Sequence, residues 1–377
     1  MKIVADNKIP FLAGALESYA DIIYLPGKDI TNALVQDADA LIIRTRTRCD
    51  EKLLKNTKVR FIATATIGFD HIDTGYCERN GIFWTNAPGC NSSSVQQYIA
   101  SALITLSHRK GFDLRNRSLG VVGVGNVGSK VVRLAEQLEM NVLLSDPPRV
   151  RKEGPCQFIS LEGIIRECDI ISLHVPLNMD GIDKTYHMID DSFLDKVNKG
   201  TIIINSSRGE VMDSRALKAA VQSGQVSAAV LDVWENEPSI DTELLVMADI
   251  VTPHIAGYSA DGKANGTMMC VQALSRFFSL GIDNWVPSNI PEPPDKKILI
   301  DCRGKPDDMM IQEAILATYQ ILEDDRRLRE SVSTFEQQRG DYPLRREFHA
   351  YHVILSEKRP EAHKRLKRLG FNVEMNS

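Results

Sequence analysis

The chain has 377 residues, of which 43% are hydrophobic and 25% charged, and a formal net charge of −5; that is enough for two or three globular domains with ordinary cores. The acidic balance excludes a general nucleic-acid binder, which would carry a basic face. No stretch approaches the roughly 18 apolar residues of a membrane span, and the N-terminus lacks the apolar run of a signal peptide, so a cytoplasmic protein without a membrane partner is expected. The 7 cysteines are scattered without a CxxC pair, which points to reduced, mostly buried thiols and to no metal site.

In chain order, KIVAD, DIIYL, DALIIRT and RFIATAT read as strands. At the end of DALIIRTRTR a strand period of two would turn Arg44, Arg46 and Arg48 to one side and Thr45 and Thr47 to the other. Such a row is either a solvated basic edge or a set of guanidinium groups, Arg44 and Arg46 foremost, that receives an anionic group of a substrate. NSSSVQQYIASALITLSHRK follows as a helix opened by Asn91 or one of the next serines, and carries the chain from one domain to the next.

The middle of the chain alternates short β-branched apolar runs with amphipathic segments, the pattern of a parallel sheet covered by helices on both faces. SLGVVGV, NVLLSD, DIISLHV, TIIINS, SAAVLDV and DIVTP are the expected strands, with helices in NVGSKVVRLAEQLE, SLEGIIREC, DDSFLDKV and SRALKAAVQSG. Together they predict a doubly wound α/β domain. VPSNIPEPPDKK, residues 286 to 297, is too rich in proline for a helix or a central strand and reads as a linker. Beyond it, KILIDC, one long helix from about Asp307 to Leu328, the strand FHAYHVILS, a helix from about Arg359 to Leu369 and FNVEM predict a small α/β module without a catalytic motif.

The chemistry concentrates in the doubly wound region. GVGNVG, covering Gly123, Gly125, Asn126, Val127 and Gly128, ends a strand and opens a helix. Glycine there lets the chain turn tightly and lets a pyrophosphate approach the N–H groups at the helix N-terminus. Asp146, at the end of the next strand, would accept from the adenosine ribose hydroxyls, which favours NAD, although Arg149 and Arg151 nearby keep some NADP use open. HVP, SSRG, DVWENEP and PHIAG then fall at successive strand ends, where an open α/β sheet binds its ligands. Arg208 is either a surface ion pair or a planar fork for a carboxylate or carbonyl oxygen. Glu237, taken alone a loop acid, is suited to orient a histidine, and His254 to take a hydroxyl proton while hydride leaves the same carbon for a nicotinamide.

The order GVGNVG, Asp146, SSRG, DVWENEP, PHIAG resembles the D-isomer-specific 2-hydroxyacid dehydrogenases over about residues 1 to 285. TATIGFDHID, NAPGCNSSSV, SDPPR, HIAGYSADGKANGT and, near the C-terminus, DDRRLRESVSTFEQQRGDYPLRREF extend the resemblance to one branch of that family over nearly the whole chain. It implies a flavodoxin-like substrate or lid domain of residues 1–93 completed by 256–285, a Rossmann NAD-binding domain of 94–255, and a C-terminal dimerisation domain of 286–377. It also implies catalysis by Arg208, Glu237 and His254, cofactor contacts from Asp146, Ser206, Ser207, Arg208, Asp232 and Gly257, and substrate contacts from Thr45, Thr66 and Tyr258. Two departures stand out: Val175 replaces the usual threonine, leaving an apolar or backbone contact to the cofactor, and Ser207 stands where alanine or cysteine is common. The implied reaction is oxidation of 4-phospho-D-erythronate to 2-oxo-3-hydroxy-4-phosphobutanoate by NAD in the synthesis of pyridoxal 5'-phosphate, by a homodimer. Another phosphorylated hydroxy acid such as 3-phosphoglycerate, or a non-enzymatic NAD-sensing scaffold, are the alternatives.

Overall fold

The computed structural model describes residues 1–375. The chain forms two compact units, Met1–Asn91 with Ser259–Pro291, and Ser92–Tyr258 with the chain from Glu292 onward.

In the first unit five parallel strands, β1 (Lys2–Asp6), β2 (Asp21–Leu25), β3 (Ala40–Ile43), β4 (Phe61–Thr64) and β5 (Phe83–Thr85), lie in the order β2-β1-β3-β4-β5, the flavodoxin-like arrangement. β5 escapes a sequence reading because it is three residues long and half exposed. The helix Ala260–Phe278 places Cys270, Val271 and Leu274 in one apolar cluster with β1, β3 and β4. Two glycines in its first turns disguise it; a Cβ on Gly266 would meet the Ala65 carbonyl oxygen at 2.9 Å, so the close approach needs glycine.

The expected alternation of Arg44, Arg46 and Arg48 is corrected here. β3 ends at Ile43, and the Thr47 N–H donates to the Arg44 carbonyl at 3.2 Å, closing a turn. Thr47 points inward and donates its hydroxyl to the Gly27 carbonyl at 2.9 Å, while Thr45 and Arg46 are exposed. A turn does not obey the period of two, so threonines and arginines do not fall on opposite faces.

In the second unit β6 (Ser118–Val122), β7 (Asn141–Ser145), β8 (Ile170–Leu173), β9 (Thr201–Asn205), β10 (Val226–Leu231) and β11 (Ile250–Val251) form a parallel sheet in the order β11-β10-β9-β8-β6-β7. β6, β8 and β9 are buried along their whole length, as central strands covered on both faces must be. The strand order reverses between β6 and β8, and this switch point opens the crevice where such sheets bind ligands.

A third parallel sheet, β12 (Lys297–Ile300), β13 (His352–Leu355) and β14 (Asn372–Met375), follows the linker. Its apolar side chains share one cluster with the helix Ser92–Lys110 and with β6, which is why the segment falls in the second unit. The long helix expected from Asp307 to Leu328 is two, Asp307–Thr318 and Ile321–Glu330. Tyr319 is extended between them (φ −158°, ψ 121°). Its carbonyl accepts from the Ser101 hydroxyl at 3.0 Å and its own hydroxyl donates to Asp324 at 2.7 Å. Helix propensity loses to these buried bonds. The strand expected from Phe348 likewise begins only at His352, after a tight turn at Phe348–Ala350.

Candidate active site

Gly123 follows β6 with φ +86°, a conformation that favours glycine. A Cβ there would lie 2.6 Å from the His174 carbonyl oxygen, and one on Gly128 would lie 2.0 Å from the Gly123 oxygen. Gly125 differs, because a Cβ on it would meet nothing within 4 Å. Gly125 and Asn126 are exposed, Val127 is half-buried, and Gly128 opens the helix Gly128–Gln137. Two glycines therefore build the turn, and the third leaves open space at a helix N-terminus, a cradle suited to a dinucleotide pyrophosphate.

Asp146, buried at the end of β7, accepts from the Val124 N–H at 2.8 Å and caps the helix Pro147–Glu153 by accepting from the Arg149 N–H at 3.0 Å. Its carboxylate is thus fixed beside the glycine turn, with lone pairs to spare for a ribose hydroxyl. Arg149 pairs with Glu153 at 2.6 Å, and Arg151 pairs with Asp183. Both cations that could have received a 2′-phosphate are held by carboxylates. Val175 is half-buried beside Gly123 and offers no hydroxyl. The buried Ser206 hydroxyl has no hydrogen-bond partner among the described residues. The open cradle, the fixed carboxylate and this hydroxyl fit NAD.

The loop after β9 is set by Asn205, whose Oδ1 accepts from the Ser207 N–H and hydroxyl at 3.0 and 2.8 Å and whose Nδ2 donates to the Arg208 carbonyl at 2.9 Å. Ser207 therefore faces inward. Arg208, half-buried, donates through Nη1 to the Ser207 carbonyl at 2.8 Å.

After β10 and β11 the chain brings Glu237 and His254 together, with Glu237 Oε2 2.8 Å from His254 Nδ1. Glu237 Oε1 accepts from the Trp234 N–H at 3.0 Å. Burial pushes the Glu237 carboxyl up, but the His254 hydrogen bond and charge and the Trp234 N–H outweigh it, so the group sits below its ordinary range. With Nδ1 engaged, Nε2 is the ring nitrogen left to exchange a proton.

Asp232, at the end of β10, is 1% exposed and accepts from the Thr252 hydroxyl at 2.6 Å and from the Ile255 and Ala256 N–H groups at 2.7 and 2.9 Å. Burial raises its carboxyl above the ordinary value in spite of the lowering influence of His254 and these donors. Its visible work is to hold the turn that carries His254, whose φ of +56° is unusual for a residue with a Cβ. The Trp234 indole donates to the Thr252 carbonyl at 3.0 Å, and Tyr98 and Thr252 share a hydroxyl bond of 2.8 Å. Gly257 and Tyr258 are half-buried, and the Tyr258 ring meets Tyr342 edge-on with centroids 5.9 Å apart.

Thr45, Thr66, Arg44 and Arg46 belong to the first unit. Thr66 lies just past β4, its hydroxyl 2.7 Å from that of Thr64 and 2.9 Å from the Gly68 carbonyl oxygen that accepts from it, and Arg44 donates to the Lys8 carbonyl at 3.1 Å.

Sequence reasoning missed Asn205 and Thr252. A polar residue ending the apolar run TIIIN was a signal for the first. Thr252 acts through a fold that brings distant segments together and left no local mark.

Residues 92–256 match the family described as D-isomer specific 2-hydroxyacid dehydrogenase, NAD binding domain, and residues 291–370 match a domain of unknown function, DUF3410. Over 358 residues the chain is 53% identical to an erythronate-4-phosphate dehydrogenase of Bacteroides fragilis, spanning 95% of this chain and 100% of that protein. It is 40% identical over 383 residues to the protein of the same name from Chromohalobacter salexigens, spanning 100% of both. Among solved structures, a D-lactate dehydrogenase from Aquifex aeolicus complexed with NAD and lactic acid is similar with a TM-score of 0.62 and 27% identity, over 75% of this chain and 97% of that one. An NAD⁺-bound 3-phosphoglycerate dehydrogenase from Entamoeba histolytica is similar with a TM-score of 0.62 and 26% identity, over 77% of this chain and 99% of that one.

Proposed function

This chain belongs to the D-isomer specific 2-hydroxyacid dehydrogenase family, and from that premise we propose that it oxidises 4-phospho-D-erythronate to 2-oxo-3-hydroxy-4-phosphobutanoate, a step of pyridoxal 5'-phosphate synthesis. NAD, when bound, supplies the hydride acceptor. The observation that carries the reading is the 2.8 Å contact between Glu237 and His254 Nδ1, which leaves Nε2 to take the proton of the 2-hydroxyl as the C–H bond beside it is broken. Glu237 orients the ring and stabilises the imidazolium that results. Arg208 binds the substrate carboxylate, or the carbonyl oxygen as it forms, through its planar fork.

Cofactor contacts are assigned to Gly123, Gly125, Asn126, Val127, Gly128, Asp146, Val175, Ser206, Ser207, Arg208, Asp232 and Gly257. Of these, Ser207 and Asp232 act largely through the loops they hold. Substrate contacts are assigned to Tyr258, Thr45 and Thr66, and the phosphate to Arg44 and Arg46. The region from residue 286 is assigned to pairing two copies of the chain about a two-fold axis, the commonest symmetry of oligomers. No helix of the described residues is long and apolar enough to cross a membrane; a cytoplasmic location is proposed from the biosynthetic step assigned to the enzyme.

The test follows NADH formation with phosphorylated and unphosphorylated D-2-hydroxy acids. The expected result is the highest kcat/KM for 4-phospho-D-erythronate. Preference for 3-phosphoglycerate would reassign the substrate, and NAD binding without any turnover would favour a scaffold.

A further inference from the structure

The catalytic histidine stands on weak footing within its own sheet. β11 has two residues and sits at the sheet edge, paired only through Val230 with Ile250 and Leu231 with Val251. His254 follows three residues later in a left-handed conformation that surrounding bonds must sustain.

Part of that support comes from the segment that matches DUF3410. Arg345, 5% exposed, donates through Nη2 to the Ile255 carbonyl at 3.1 Å and to the Ala256 carbonyl at 2.6 Å. The N–H groups of the same two residues donate to Asp232. The peptide just after His254 is therefore clamped from both sides, by a carboxylate at the end of β10 and by a guanidinium delivered more than eighty residues later. Next to it, Asp325 accepts from the Val251 N–H at 2.8 Å, satisfying a donor at the sheet edge.

The way Arg345 is held points away from a purely stabilising role. Its guanidinium lies 4.6 Å from the Tyr319 ring centroid and 5.6 Å from that of Tyr342. Both tyrosine hydroxyls donate to Asp324 at 2.7 Å, which fixes the rings. Its Nε and Nη1 have no hydrogen-bond partner among the described residues. A buried cation with unpaired donors is poorer for stability than an apolar side chain of the same size. What an apolar side chain could not supply is the pair of bonds to the Ile255 and Ala256 carbonyls.

We propose that the DUF3410 segment is part of the catalytic machinery, and that Arg345 is its positioning residue: opposite Asp232 it fixes the backbone of residues 255 and 256 and so aims His254 at Glu237 and at the substrate hydroxyl. The inference rests on His254 as the proton acceptor of the reaction proposed above.

The test uses the full chain with Arg345→Met, which keeps much of the volume and removes the donors, and Arg345→Lys, which keeps the charge on a stem that cannot reproduce the fork. Turnover is expressed per NAD-binding site, so that unfolded protein does not count. The Met variant is expected to lose about 10- to 100-fold in kcat, as a misplacement of the order of 1 Å does, with KM for 4-phospho-D-erythronate within about threefold of wild type. The Lys variant is expected to fall between, at least about fivefold below wild type, and it decides the matter should the Met variant not fold. In the same variants the Ile255 and Ala256 amides should exchange with solvent at least about tenfold faster, while those of β9 keep their protection. Inactivity of the wild type would fall on the proposed reaction, and amide exchange would still judge Arg345. Turnover per site within about twofold of wild type, or unchanged protection at residues 255 and 256, overturns the proposal.

Discussion

Gly209→Ala adds one methyl group at the point where the loop of Arg208 meets the loop leading to Glu237. Gly209 directly follows Arg208, and a Cβ on it would lie 2.0 Å from both the carbonyl carbon and oxygen of Trp234 and 2.5 Å from the Glu235 nitrogen. All three are backbone atoms, so no side-chain rotation relieves the clash. Ordinary van der Waals contact begins at 3.4 Å, so either the Arg208 loop or the loop leading to Glu237 must retreat by about 1 Å or more. Overpacking of this kind costs about 1–3 kcal/mol. A shift of that size in a reacting group can lower turnover by about 100-fold. The variant should therefore remain folded with a lower urea midpoint and show kcat down about 100-fold in the NADH assay. NAD binding should weaken by no more than about tenfold, because the contacts assigned to Ser206, Ser207 and Arg208 shift with their loop while the Gly123 turn and Asp146 stay in place. Wild-type kcat with an unchanged urea midpoint would refute the reasoning, showing that the loops part freely and that their spacing does not set the geometry.

Gly125→Ala is the opposite case: with nothing within 4 Å of the added Cβ its stability should change by less than about 0.5 kcal/mol, yet NAD affinity by titration should fall about tenfold or more, since the methyl occupies the pyrophosphate's approach; unchanged affinity would remove Gly125 from the cradle. His254→Ala should lower kcat by about 100- to 10,000-fold while NAD still binds, and wild-type turnover in that variant would exclude the histidine from proton transfer. With Arg149 and Arg151 held by Glu153 and Asp183, kcat/KM should favour NAD⁺ over NADP⁺ by at least about tenfold, or about 1.4 kcal/mol; equal values would show that a guanidinium leaves its partner for the added phosphate. Burial pushes the His174 imidazole from 6.5 down to about 3, so its contribution to stability is complete above pH 6.5 and is lost as pH falls towards 3. In that window urea unfolding of the wild type should lose up to about 1.4 kcal/mol per pH unit more than His174→Asn does, and equal slopes would show that the ring is solvated.

What the sequence determined by itself is local in origin. Apolar runs such as SLGVV and TIIIN read as strands covered on both faces, because their consecutive β-branched residues leave neither face to water. GVGNVG announced a tight turn into a helix because only glycine accepts φ +86° with a carbonyl 2.6 Å from its missing Cβ. Glu237 and His254 were legible as partners because their chemistry fits one task and both follow strands of one parallel sheet. Where tertiary contacts compete with local preference the sequence was mute. Tyr319 breaks a helix in order to bury its ring beneath Arg345 and bond Asp324. The arginines after β3 sit in a turn because Thr47 finds the Gly27 carbonyl. Asp146 and Asp232 carried the same expectation of a cofactor contact, yet the fold fixes Asp146 beside the glycine turn and encloses Asp232 under the His254 loop among Thr252, Ile255 and Ala256. The clamp between Asp232 and Arg345 joins residues far apart in the chain, and a bond of that kind has no sequence period; only the packing of the C-terminal segment against the helix Ser92–Lys110 and the β6–β11 sheet decides that it exists.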